Sequence, residues 1–264
     1  SFSIALLSIV MFMILSATGD WLNYLYLPII SAFSFVLFIL IERRVKDPML
    51  DLSLFTRNIS FMAGNVTALL NYISTYSIPF LFSLYLQAIL GYSPFEAGLI
   101  LIPEPIFMVI LSPISGKLSD LYGSREVAAL GMGLIGLAFI MLLTLNLRSI
   151  INVVAALSIL GIGFGLFSAP NTNSVMGSVT RDKYGVASGV LGTMRFTGQL
   201  LSITLASAIL AKYLGKYTAL YLFTGVPLTG TVVYGLFTAG LRIMFIIAAV
   251  LSFIGAYTSL LREK

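Results

Sequence analysis

The chain has 264 residues, of which 59% are apolar and 9% charged, whereas a soluble domain is roughly 45–50% apolar and about 25% charged. So little charge cannot cover a soluble fold, and the excess apolar surface must face lipid. The absence of Cys and His excludes thiol chemistry, disulfides, Cys/His metal sites and every His- or Cys-based triad, and leaves proton handling to carboxylates with Lys, Arg or Tyr nearby.

A membrane span takes roughly 20 apolar residues, and the sequence predicts about eight such helices. They lie near Ser1–Thr18, Leu22–Ile41, Ser60–Ile89, Ala97–Ser115, Val127–Leu145, Ile150–Val179, Gly185–Leu210 and Ile243–Leu261. The chain opens Ser1-Phe2-Ser3, already apolar and without the basic region of a signal peptide. It is therefore expected to be a piece whose upstream part is missing. The longest polar segment, Glu42–Asn58, separates the first two spans from the other six.

The net charge of +5 forms no basic stripe or basic helix face, so nucleic acid is not an expected partner. The basic residues instead set orientation. With the first span running outward, Arg43, Arg44, Lys46, Arg57, Lys117, Arg125, Arg181, Lys183, Arg262 and Lys264 fall in inner loops. Arg148, Lys212, Lys216 and Arg242 fall outside, and Arg195 lies within a span. The uncharged stretch Tyr217–Gly240 reads either as a ninth span or as an outer loop at the interface. Its five glycines and prolines, together with the positions of Arg262 and Lys264, favour the loop.

In chain order, the polar residues within these spans are the candidates for a site. Asn65, Tyr72, Tyr76, Pro79 and Ser83 fall near one face of the third run, and Gln87 follows. Glu104 lies early in the fourth run between Pro103 and Pro105. Burial disfavours its charged form, which points to proton exchange, although a water-reached rim carboxylate is also open. Asn171, Thr172 and Asn173 follow Pro170 in the sixth run. Ser188, Gly192, Arg195, Gln199 and Ser202 recur at helical spacing on one face of the seventh. Asn65, Tyr72, Tyr76, Gln87, Asn171, Asn173 and Gln199 are candidates for a substrate path, with aromatic rings able to hold organic cations. They are also open to bonding between helices. Arg195 is a candidate for gating or coupling, or for a structural pairing.

Two glycine patterns resemble nucleotide-binding signatures only superficially. Gly131-Met132-Gly133-Leu134-Ile135-Gly136 and Gly161-Ile162-Gly163-Phe164-Gly165 lie inside apolar helices, with no preceding strand and no acidic partner. They are expected to let helices approach closely. No phosphate loop of the G-x-x-x-x-G-K-[ST] type occurs, and no cofactor is expected.

The segment Gly116-Lys117-Leu118-Ser119-Asp120-Leu121-Tyr122-Gly123-Ser124-Arg125 resembles the loop motif G-x-x-x-D-[RK]-x-G-R-[RK] of the major facilitator superfamily. Gly116, Asp120, Gly123 and Arg125 match, while Leu121 and Ser124 depart from the basic residues of the pattern, as second-half copies commonly do. Further segments are similar to the fourteen-span drug:proton antiporters of that superfamily. These are Leu84-Tyr85-Leu86-Gln87 through Gly91-Tyr92-Ser93-Pro94 to Pro103, Asp51-Leu52-Ser53-Leu54-Phe55 with Arg57-Asn58, Gly185-Val186-Ala187-Ser188-Gly189 with Arg195, and Gly240-Leu241-Arg242-Ile243-Met244-Phe245.

The resemblance implies an all-α polytopic bundle: the facilitator-type C-terminal half, preceded by two extra helices. The expected organisation is a two-helix insert at 1–41, a cytoplasmic linker at 42–59 and a six-helix bundle at 60–264. The implied activity is not enzymatic. It is proton-coupled export of small hydrophobic or cationic solutes across a plasma or inner membrane. Expected partners are the lipid bilayer, the solute, protons and the missing N-terminal half. The resemblance also makes Asp120 and Arg125 coupling candidates; the family pattern does not fix Glu104. A facilitator for sugars, organic acids or peptides, or a membrane scaffold or receptor that transports nothing, would be the alternatives.

Overall fold

A computed structural model of the chain describes residues 2–18, 21–42, 52–223 and 231–262. Among these residues there are helices and turns and no strand. This follows from the composition, because a backbone in hydrocarbon must satisfy its own polar groups. Helices α1 (Phe2–Thr18) and α2 (Tyr26–Glu42) form a hairpin through a 3₁₀ turn at Trp21–Tyr24. Ser31 Oγ on α2 donates to the Ala5 carbonyl of α1 at 2.7 Å. Among the described residues, six helices have the length and hydropathy to cross a membrane. The first predicted run is shorter, its apolar stretch covering Ser3–Ser16.

The third run is not the single helix expected over Ser60–Ile89. A short helix α3 (Leu52–Arg57) leads into α4 (Ile59–Thr75), α5 (Ile78–Leu84) and a π-helical turn at Tyr85–Ile89. The interruption sits just before Pro79, which has no N–H to continue the ladder. The loosened backbone is caught from outside: Ser77 N–H donates to Ser202 Oγ at 3.0 Å.

The chain then turns at Gly91, whose φ of 76° suits a residue without Cβ. It enters α6 (Pro94–Leu101) through a capping box between Ser93 and Glu96. α7 (Pro103–Tyr122) continues the same span. Gly123, at φ 97°, joins it tightly to α8 (Ser124–Thr144). α9 (Ile150–Gly177) and α10 (Tyr184–Phe223) follow, the latter broken at Gly215, and α11 (Thr231–Leu260) completes the bundle.

The outer loop expected over Tyr217–Gly240 is corrected here. α10 extends to Phe223 and α11 begins at Thr231, while 224–230 lie outside the described residues. The glycine count misled because Gly240 sits against α10. It is buried beside Ile209, Leu210 and Tyr213, and packing overrides propensity.

Glycines of α9 set the centre of the bundle. A Cβ on Gly131 of α8 would lie 2.6 Å from the Gly163 carbonyl, and one on Gly163 would lie 2.7 Å from the Gly131 carbonyl. On the other flank, Gly161 meets the backbone of Glu104, and Gly165 faces Leu111 and Met108 of α7. α9 is thus held between α7 and α8 at backbone contact, as expected for both glycine patterns.

Around this slab, Phe82 stacks on Phe245 at 5.9 Å and Phe139 lies 6.2 Å from Phe245, joining α5, α8 and α11. A smaller cluster of Phe61, Ala68, Val175, Ala187, Val190 and Leu191 joins α4, α9 and α10 at the other end. Exposed apolar side chains such as Phe33, Ile151 and Phe196 lie outside these clusters. They suit contact with lipid.

Candidate functional site

The candidate residues do not gather at one point. The most developed polar locus lies where α4, α9 and α10 meet. α10 reaches α4 at Gly198, where a Cβ would be 2.7 Å from Tyr72 Cβ and 2.8 Å from the Leu69 carbonyl. That approach carries Arg195, one turn earlier, between two partners. Its Nη2 donates to Thr172 Oγ1 at 2.7 Å, and its guanidinium carbon is 6.0 Å from the Tyr72 ring centroid. Thr172 gives its own proton to the Ser168 carbonyl at 2.8 Å, so only a lone pair remains for Arg195. Tyr72 in turn meets Phe164 edge-on at 5.7 Å.

Arg195 is half-buried, with Nε enclosed and unpartnered among the described residues. One turn further along α10, Gln199 is also half-buried. One turn beyond Tyr72, Tyr76 is 44% exposed. The predicted polar face of α10 is therefore graded: Ser188 is exposed, Arg195 and Gln199 are half-buried, and Ser202 is buried against the break at Ser77.

A second locus closes one end of the bundle. Asn171, one residue before Thr172, accepts a hydrogen bond from Arg262 Nη2 at 2.5 Å. Arg262, expected among the basic residues of the inner loops, is 1% exposed. Asn65 is also fully buried and donates back to the Phe61 carbonyl of its own helix at 2.9 Å. Asn71, which the sequence reading passed over, donates to Met132 Sδ at 3.2 Å across α4 and α8. These asparagines bond within and between helices.

Beside this end lies a polar cavity of about 690 Å³ lined by Arg57, Asn58, Arg125, Glu126, Asn173 and Ser174 among others. Arg125 pairs with the adjacent Glu126 at 3.1 Å and donates to the Arg262 carbonyl at 3.4 Å. Asp120 is exposed and has no ion-pair partner among the described residues. The hydroxyls of Ser119 and Ser124 bridge the turn at 2.7 Å in its place. Asn173 is exposed at the cavity wall.

Glu104 stands apart, half-buried in the first turn of α7, with its backbone against Gly161. Gly161 and Thr172 are eleven residues apart on α9, about 16 Å along the helix axis. Glu104 and Arg195 therefore occupy different levels of the bundle. Gln87, on the π-helical turn, donates to Ser83 Oγ at 2.7 Å on its own helix. At the same end Arg148 lies over the Tyr234 ring at 4.3 Å.

The model of the Major Facilitator Superfamily matches residues 1–203 and, in a second overlapping match, residues 64–264. The chain belongs to the Major Facilitator Superfamily. It is 30% identical over 193 residues to the riboflavin transporter RibZ of Clostridioides difficile, covering 73% of this chain and 41% of the relative. It is 30% identical over 197 residues to the multidrug resistance protein Stp of Mycobacterium tuberculosis, covering 75% of this chain and 36% of the relative. With the quinolone resistance protein NorB of Staphylococcus aureus the identity is 26% over 222 residues, covering 80% and 48%. This facilitator chain thus spans less than half the length of the curated relatives it matches. Its apolar helices make it a multi-pass membrane protein.

Proposed function

We propose that this chain acts as the C-terminal part of a fourteen-span exporter that moves hydrophobic, drug-like solutes out of the cell in exchange for protons. The observation that carries this reading is the half-buried guanidinium of Arg195, held between Thr172 and Tyr72 among otherwise apolar helices. A charge at that depth is costly and marks a solute or ion pathway. Relatives named for riboflavin transport, multidrug resistance and quinolone resistance support organic solutes of drug size. Glu104 supplies a carboxylate inside a span, able to take up and release a proton as its surroundings change. Asp120 and Arg125 belong to the turn that bears on the alternation between the two access states.

In this reading α1 and α2 are the inserted pair, residues 60–264 are one moving half, and the upstream half completes the cavity. Alternating access comes from rocking the halves about the solute. The membrane is the plasma or inner membrane, with the Asp120 turn facing the cytoplasm. The test is efflux of fluorescent drug-like dyes from proteoliposomes under an imposed pH gradient. The chain co-expressed with its upstream half should export dye, and the chain alone should not. Proton-driven efflux by the chain alone, or uptake of sugars or peptides by the complete protein, would overturn the proposal.

A further inference from the structure

We infer that the α4–α10 strip selects planar aromatic solutes bearing a carboxylate, and discriminates against permanent cations; the inference rests on the transporter reading above. Two ladders stand side by side. Tyr72 lies in the last turn of α4 and Tyr76 follows just past its end, and Arg195 and Gln199 are one turn apart on α10. Gly198 against Tyr72 and Ser202 against Ser77 N–H hold the two helices in register across this length. One ladder offers rings and the other offers donors.

The donors are largely unspent. A guanidinium carries five N–H groups in a rigid fork. Among the described residues Arg195 has one side-chain hydrogen-bond partner, Thr172; Nε is enclosed, so the donors left for a ligand are those of Nη1 and the second N–H of Nη2. The Gln199 side chain has no hydrogen bond to a described residue. The remaining capacity suits a planar, charged acceptor that can take two parallel N–H bonds, which a carboxylate provides. Tyr76, 44% exposed, offers a ring against which an aromatic body can lie.

An organic cation finds the opposite. The Tyr72 face that would attract it is already approached by the protein's own cation, at 6.0 Å. The same ring also makes a T-shaped contact with Phe164. Glu104 of α7 stands beside Gly161, about 16 Å along the α9 axis from Thr172 by helix rise, too far to offset the guanidinium. An incoming cation therefore meets like charge where an incoming carboxylate meets its complement.

The probes are anthracene-2-carboxylate, its neutral methyl ester and a trimethylammonium anthracene. Each is titrated by fluorescence against the purified full-length transporter in nanodiscs. The wild type should bind the carboxylate about ten- to a hundredfold tighter than the trimethylammonium probe. Arg195→Gln should lose that preference while binding the ester as before, and Arg195→Lys should keep part of it. Equal or tighter binding of the cation by the wild type overturns the inference. So does an equal loss of ester and carboxylate in Arg195→Gln, which marks a structural role. If that variant does not fold, Gln199→Leu serves: it should weaken the carboxylate severalfold and leave the cation unchanged, and no change overturns the inference. Binding is read without transport, so absence of pH-driven efflux sinks the exporter reading alone.

Discussion

Arg262 reaches across the end of the bundle from beyond α11 to Asn171 on α9, Nη2 to Oδ1 at 2.5 Å, while its own carbonyl accepts from Arg125. Burial lowers the guanidinium's pKa to about 10, so the charge persists at physiological pH. Three elements that are distant in sequence, the start of α8, α9 and the chain just past α11, are tied at one residue. Removing Asn171 leaves a buried charge with no side-chain partner among the described residues. Asn171→Ala should therefore cost about 1.5–3 kcal/mol of stability. The double change Arg262→Met with Asn171→Leu should cost less than the sum of the single changes, because charge and partner leave together. Thermal melting of the four proteins in detergent checks the cycle.

The proposed topology makes a labelling prediction. The chain has no Cys, so single cysteines report cleanly. In intact cells, cysteines at Asp120 and Lys183 should resist an impermeant thiol reagent, and cysteines at Tyr92 and Arg148 should react. Reaction at Lys183 from outside would invert the scheme. Positions Arg43 and Asp20, which belong to the same expectation, lie outside the described residues.

Glu104 gives a prediction about coupling. Glu104 is a carboxylate inside a span and Gln cannot exchange a proton, so Glu104→Gln should lose most of the dependence of efflux on the imposed pH gradient. The variant should still insert and fold, because no described residue depends on the carboxylate for a hydrogen bond. Wild-type rate and pH dependence in this variant would leave Glu104 as a rim residue.

The α8–α9 contact gives a prediction about packing. Gly163→Val places side-chain atoms where the Gly131 carbonyl and Ile135 already stand. The cost should be about 1–3 kcal/mol, read as a lower melting temperature in detergent. Gly133, with nothing within 4 Å of an added Cβ, should accept Ala with little change.

Much of the fold was legible in the sequence because hydropathy over roughly 20 residues dominates every other signal in a membrane chain. Helical bundle, span order and glycine-mediated packing follow from that. The break at Tyr76–Ser77 was only half legible: Pro79 stands in the sequence, but the bond that holds the break comes from Ser202, 125 residues away from Ser77. Arg262 was read as a loop charge since it follows the last apolar run, and nothing local shows that Asn171 waits for it. The pairing of Arg195 with Thr172 and Tyr72 was half visible. Each residue could be singled out by its polarity within a span, but only the close approach at Gly198 says which of them meet.

The seating of α9 has a mechanical consequence. With backbone against backbone on both flanks, at Gly131–Gly163 and at Glu104–Gly161, this helix has no clearance to roll or slide without lifting its neighbours. α7, α8 and α9 therefore form a stiff plate. Compliance is left to the joints around it: the interrupted stretch before Pro79 and the bend at Gly215. Spin labels placed on two members of the plate should hold their separation through a transport cycle, and labels set across either joint should not.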